Sequence, residues 1–157
     1  MSSFLYVRLL YWNSDRGIER MSMDGNNRTV IIDYEMDTYR DAVVSLTLDY
    51  QTQVLYWVYG NNSNGSLSIK CSNTDGTNQK TILQLQNIHY GYYYLRYYPS
   101  GLTIYNDTLL FSLSWTREVY KLRTNGENFT LFINSSMPVF CRNQRSQFPR
   151  VTNQPSG

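Results

Sequence analysis

The chain has 157 residues, with 15 tyrosines and only 17% charged residues, and 15% of it is aromatic. That composition belongs to a folded chain and excludes disorder as its main state, and the length fits one ordinary domain with a buried core. The formal charge of +2 comes from 14 basic and 12 acidic residues scattered along the chain, which leaves no basic stripe for nucleic acid or anionic lipid.

In chain order the first segment is an apolar stretch with Arg8 inside it, which lacks the layout of a cleavable signal peptide. No apolar run approaches the roughly 18 residues needed to cross a bilayer. These two features leave open a cytosolic protein or a fragment whose true N-terminus lies upstream. An aromatic strand follows, Leu9-Leu10-Tyr11-Trp12, then a polar turn, a second strand over 18–23, the turn dipeptide Asp24-Gly25 and a third strand over 29–32. The same order returns as Val54-Leu55-Tyr56-Trp57, a strand over 67–71, Asp75-Gly76 and a strand over 81–85. It returns again as Leu109-Leu110-Phe111-Ser112, a strand over 119–122, Asn125-Gly126 and a strand over 129–133. Two more apolar strands, over 44–48 and 102–105, lie between the units.

The turn dipeptides accept the positive φ of tight hairpins, and they stand 51 and 50 residues apart. Four short strands per 40 to 50 residues is the signature of a propeller blade. Alternation agrees: Leu46 with Leu48, Leu67 with Ile69, Val30 with Ile32, and Phe129 with Leu131 share faces. The predicted fold class is all-β, about three blades of a β-propeller over 1–140, in repeats near 9–49, 54–105 and 109–133, with 141–157 as a polar tail or linker. A sandwich would explain the strand count but not the recurring strand, turn and Asp-Gly order.

Tyr11-Trp12-Asn13-Ser14 followed by Gly17-Ile18-Glu19-Arg20-Met21-Ser22-Met23-Asp24-Gly25-Asn26-Asn27-Arg28 resembles the low-density lipoprotein receptor class B repeat, the YWTD repeat. Pro99-Ser100-Gly101-Leu102-Thr103-Ile104 resembles that family's Pro-x-Gly-Leu-Ala-Leu-Asp strand, and Leu46-Thr47-Leu48-Asp49 keeps its ending. The tail, with Pro138-Val139-Phe140, Arg145 and Gln147, is similar to the sequence that leaves such propellers. The resemblance covers roughly 4–147. The motif's acid is replaced by Ser14 and Tyr59, with Asp15 as a stand-in for the first, and the third copy puts Phe111-Ser112 where Tyr-Trp would stand. The resemblance implies structural roles for Tyr11, Trp12, Tyr56, Trp57, Asp24, Gly25, Asp75, Gly76, Asn125 and Gly126. It also implies a six-bladed parent, so that three blades do not close alone and the rest precede Met1 or come from another chain. Sevenless-type receptor tyrosine kinases carry similarly degenerate repeats.

Six N-glycosylation sequons begin at Asn27, Asn61, Asn64, Asn106, Asn128 and Asn134, about twice the chance number, and point to a secreted or luminal chain. Cys71 shares strand parity with Leu67 and Ile69, which reads as a small buried hydrophobe, and Cys141 stands in the polar tail; a bridge between them stays open. Two distant cysteines make no zinc site, and the lone His89 makes no hydrolytic triad. Asp33, Glu35 and Asp37, with Asp41 near, alternate in what reads as a solvated loop more readily than as a calcium site. No cofactor is expected. In the run from His89 to Tyr98 alternation sends half of the six tyrosines outward, so Tyr90, Tyr92, Tyr94 and Tyr97 are candidate partner-binding residues.

The expected function is non-catalytic: an extracellular segment of a single-pass membrane receptor that binds a protein ligand or orients neighbouring modules, touching a membrane only through its parent chain. Two alternatives stay open, a secreted or matrix glycoprotein that uses the propeller as a spacer, and the extracellular part of a receptor tyrosine kinase. A propeller enzyme would need polar residues converging on the axis, and none is visible.

Overall fold

A computed structural model describes residues 8–34, 41–61, 66–85, 99–113 and 118–133. They form eleven strands: β1 (Leu9–Ser14), β2 (Gly17–Ser22), β3 (Thr29–Asp33), β4 (Asp41–Asp49), β5 (Val54–Asn61), β6 (Ser66–Asn73), β7 (Lys80–Leu85), β8 (Pro99–Tyr105), β9 (Thr108–Leu113), β10 (Glu118–Arg123) and β11 (Thr130–Ile133). Every pairing is antiparallel, and the strands make three meander sheets: β1-β2-β3, β4-β5-β6-β7 and β8-β9-β10-β11. The described fold is all-β, three successive sheets of a partial β-propeller.

The sheets are phased one strand ahead of the sequence repeats. The strands read as lying between units, β4 and β8, open the following sheets: β4 pairs with β5 from Asp49↔Val54 to Asp41↔Asn61, and β8 pairs with β9. Registers also move the third copy by one residue. Gly25, Gly76 and Gly126 donate their N–H to Ser22, Asn73 and Arg123, each at 2.9 Å, which fixes the equivalence of the three turns. Counting back through the pairs Met21↔Leu10, Ser72↔Leu55 and Leu122↔Leu109, Trp12 and Trp57 correspond to Phe111. The third Tyr-Trp is therefore Leu110-Phe111 and not Phe111-Ser112. The correction has a physical reason: the four-residue loop 50–53 becomes a two-residue loop, 106–107, and a one-residue slip sends every side chain to the opposite face.

The Asp-Gly turns are alike in detail. Asp24, Asp75 and Asn125 each accept a backbone N–H two residues on, from Asn26, Thr77 and Glu127, at 2.9–3.0 Å. The next residue, Asn27, Asn78 or Asn128, takes φ of 57°, 56° or 56°, a conformation open to asparagine at low cost. Beyond each turn the outer pair carries a bulge, at Ile31, Ile82 and Phe132.

The core lies between sheets. Ile18, Ile32, Val43, Leu55 and Trp57 join the first sheet to the second, with Tyr11, Tyr34 and Tyr59 packed against them. Tyr56, Val58, Leu67, Ile69, Leu102, Leu109, Phe111 and Leu122 join the second to the third. Strand β5 is thus covered on both faces, Leu55 and Trp57 on one and Tyr56 and Val58 on the other, which is why its apolar residues run on without alternation. Polar ties cross the same joints: Asn13 Nδ2 donates to the Val43 carbonyl at 3.0 Å, Arg20 Nη1 to the Thr74 carbonyl at 3.1 Å, and the Leu102 N–H to Ser45 Oγ at 3.1 Å.

The turn glycines set how close the sheets come. A Cβ on Gly76 would overlap the Ile31 carbonyl oxygen and meet its carbon at 2.9 Å, and one on Gly126 would meet the Ile82 oxygen at 3.0 Å. Each turn therefore rests on the outer-strand bulge of the preceding sheet. Among the described residues, nothing lies within 4 Å of the same position at Gly25.

Candidate binding surfaces

Several acids among the described residues are engaged in the scaffold. Glu19 is buried and takes a bidentate contact from Arg28, at 2.6 and 3.1 Å, while the guanidinium lies 5.5 Å from the Trp12 ring centre. Asp49 accepts the Thr52 hydroxyl at 2.5 Å and the Gln51 N–H at 2.9 Å; the hydroxyl first, then these amides, hold its carboxyl below the usual range. Asp33 and Asp107 lie 3.8 and 3.7 Å from Arg16 and Arg123. In the first turn Ser14 Oγ accepts the Arg16 N–H at 3.1 Å. No group of three or more His, Cys, Asp or Glu among the described residues could hold a metal ion.

The Arg28 and Glu19 hydrogen bonds carry a pH signature. Hydrogen bonds from Arg28 first, then from Ser14, lower the Glu19 carboxyl from 4.5 to about 2. A depressed carboxylate stabilises the fold fully above its unfolded value and loses that contribution as pH falls toward the folded one. Glu19→Gln is expected to cost stability at neutral pH and to flatten the stability curve between pH 4.5 and about 2. Urea unfolding at stepped pH measures this, and an acid limb unchanged by the substitution would contradict it.

The joint between the first two sheets holds a second set that sequence reasoning passed over. Trp57 Nε1 donates to Tyr34 Oη at 2.7 Å, Tyr34 stacks on Tyr59 with ring centres 4.6 Å apart, and Lys70 Nζ lies 5.3 and 4.7 Å from those two rings. Burial pushes the Tyr34 hydroxyl up to about 12 and lowers the Lys70 ammonium. The signal for these residues was periodic: Glu19, Lys70 and Tyr120 hold one position, and Arg28, Gln79 and Phe129 another. In the third sheet Phe129 stacks 6.1 Å from Phe111, where Arg28 covers Trp12 in the first.

Three surfaces among the described residues face outward with apolar or aromatic side chains. The first is a groove between the β4–β5 and β8–β9 loops, lined by Leu48, Asp49, Tyr50, Ile104, Tyr105 and Asn106. Tyr50 and Tyr105 are 77% and 73% exposed, one from each of two neighbouring sheets. Tyr50 stands on a loop held by Asp49 and by Gln53 Nε2 on the Tyr50 carbonyl at 2.8 Å, and Tyr105 ends β8, before a tight loop in which Asn106 takes φ 53°. The second surface is the face of the first sheet turned away from the second, with Leu10 at 47% exposure, although Leu55 and Leu109 at the same position are wholly buried. The third is the corresponding face of the third sheet, with a groove along Gly101, Thr103, Leu110, Ser112 and Val119, and Phe132 at 54% exposure beside Lys121.

Tyr90, Tyr92, Tyr94 and Tyr97 lie outside the described residues, as do Asn64, Asn134, His89, Glu35, Asp37 and Cys141. Nothing is described for the side chains of Asn61 and Asp41. Cys71 is a free, half-buried thiol raised by that burial, and it sits among Leu67, Ile69 and their neighbours. The sequon residues Asn27, Asn106 and Asn128 are exposed, at φ of 57°, 53° and 56°. Asn78 takes the same conformation, at 56°, outside any sequon.

No family profile matches the chain. It is similar to the protein cueball of Drosophila erecta, 29% identical over 117 residues, and to those of Drosophila yakuba and Drosophila sechellia, each 27% identical over 117 residues. The match takes in 72% of this chain and 16% of each of these relatives, so the chain spans about a sixth of their length. Among solved structures, a chain of a nidogen/laminin complex is similar over 80% of this chain and 59% of its own, with a TM-score of 0.43 and 18% identity.

Proposed function

We propose that the chain is part of a YWTD-type propeller in an extracellular receptor or matrix protein, and that it works by binding a protein ligand at the groove between Tyr50 and Tyr105. The carrying observation is that pair: two exposed tyrosines, one on the β4–β5 loop and one at the end of β8 in the next sheet, with an apolar floor between them at Leu48 and Ile104. Tyrosine on a braced loop gives a large contact area at little entropic cost, and such residues dominate protein interfaces. The ionisable groups near it are spent on turns and ion pairs, which favours recognition over chemistry.

The test is a binding screen of the full chain against a panel of purified extracellular proteins, with Tyr50→Ala/Tyr105→Ala alongside. Loss of the two anchors is expected to weaken a genuine hit by at least about tenfold, about 1.4 kcal/mol, without moving the unfolding midpoint. Hits that bind the double variant as well as the original chain, and lose binding only when Tyr90, Tyr92, Tyr94 and Tyr97 are changed, would move the site to that run instead.

A further inference from the structure

The left-handed residues other than glycine among the described residues fall into two kinds of loop. In the Asp-Gly and Asn-Gly turns the position is asparagine each time, Asn27, Asn78 and Asn128, whether or not a sequon follows. In the first loops of the second and third sheets it is Gln53 and Asn106, at φ of 57° and 53°. A loop of this second kind therefore closes on glutamine. Asparagine at 106 has a property that glutamine lacks, since with Asp107 and Thr108 it forms a sequon. Asn106 is exposed, follows Tyr105 directly and lines the groove flanked by Tyr50 and Tyr105. An acceptor side chain, two tyrosine rings at 77% and 73% exposure and an apolar floor at Leu48 and Ile104 thus meet in one place.

We propose that Asn106 carries an N-linked glycan whose core sugars lie against Tyr105 and Tyr50, so that occupancy of this one sequon covers the groove or leaves it open. The inference rests on the reading of the chain as extracellular, because the transfer takes place in a secretory compartment. There Asn106 Nδ2 bonds to the anomeric carbon of a lipid-diphosphate-linked oligosaccharide. The bond from that carbon to the diphosphate oxygen breaks, the lipid diphosphate leaves with the electron pair, and Nδ2 gives up one proton. The first sugar, N-acetylglucosamine, suits the site chemically. Its ring turns axial C–H groups to either side, and these slightly positive hydrogens meet the negative faces of the tyrosine rings. Its hydroxyls need polar neighbours, and Gln51 lines the same groove. A bulky, solvated glycan is accommodated only at a surface position, which Asn106 occupies. A protein ligand that needs both rings then binds the chains in which Asn106 is bare.

The test secretes the full chain from cultured animal cells behind an added signal sequence and maps each sequon by mass spectrometry of its peptides. The probe of the groove is tetranitromethane, which nitrates accessible tyrosine rings. Two variants remove the sequon by different routes. Thr108→Val keeps a β-branched residue at the start of β9, and Asn106→Asp keeps a side chain that accepts positive φ. Asn106 is expected to carry a glycan, and nitration of Tyr50 and Tyr105 is expected to be at least about threefold slower than in either variant, as covered ring faces require. Tyr11, in the first sheet, is expected to react alike in all three chains. A bare Asn106 beside an occupied sequon elsewhere would overturn the proposal and leave the extracellular reading standing, whereas six bare sequons would overturn both. An occupied Asn106 with Tyr50 and Tyr105 nitrated as fast as in the variants would overturn the covering of the groove.

Discussion

Gly76→Ala is expected to cost about 4 kcal/mol of folding stability, against about 1 to 2 kcal/mol for Gly25→Ala, although the two glycines occupy the same place in the same turn. Both have positive φ, +87° and +86°, so both substitutions carry the strain of a left-handed conformation. Only at Gly76 does the added carbon also enter the backbone of the preceding sheet, overlapping the Ile31 carbonyl oxygen. A backbone carbonyl inside a bulge cannot rotate away as a side chain would, so the joint must open. Gly126→Ala should fall between them, since Ile82 leaves 3.0 Å to its oxygen and 3.5 Å to Cγ2. Urea unfolding of the three variants at low protein concentration gives the ranking. Equal losses at all three would mean that the turns do not touch the neighbouring sheets.

Trp57→Ala is expected to cost about 3 to 5 kcal/mol, a large part of the roughly 5 to 15 kcal/mol that holds a domain together. The indole is fully buried and its N–H bonds the Tyr34 hydroxyl at 2.7 Å. Its removal leaves a cavity between two sheets and takes the donor from a phenol that burial keeps protonated up to about 12. Trp12→Ala, at the same position in the first sheet, faces outward beneath Arg28 and should cost about 1 kcal/mol or less. Phe111 is 1% exposed, and its truncation should resemble that of Trp57. Denaturant midpoints and slopes separate these outcomes, and near-identical losses for Trp12 and Trp57 would contradict the buried joint.

The strands and turns were legible because their signals are local. Alternation marks a strand within five residues, and Asp24-Gly25, Asp75-Gly76 and Asn125-Gly126 carry the Asx hydrogen bond and positive φ that the structure shows. The grouping of strands was not legible, because β4 could extend the unit before it or open the one after it, and only the hydrogen bonds to β5 decide. The third copy slipped by one residue because Leu109, Leu110 and Phe111 offer no tryptophan to anchor the register. Tyr50 and Tyr105 drew no notice in a chain rich in tyrosine, since what singles them out is that two loops far apart in sequence flank one groove. At Asn27, Asn106 and Asn128 a glycan acceptor and a left-handed turn call for the same amino acid, so the sequence alone does not separate the two roles.

The central claim is that the three sheets pack in chain order, each turn glycine seated on the bulge of the sheet before it. Nuclear Overhauser contacts of the glycine α-protons in the isotopically labelled full chain test it most directly. Stacked sheets require strong cross-sheet contacts from Gly76 to Ile31 and from Gly126 to Ile82. Sheets that keep their internal strand pairings but show neither contact would contradict the arrangement.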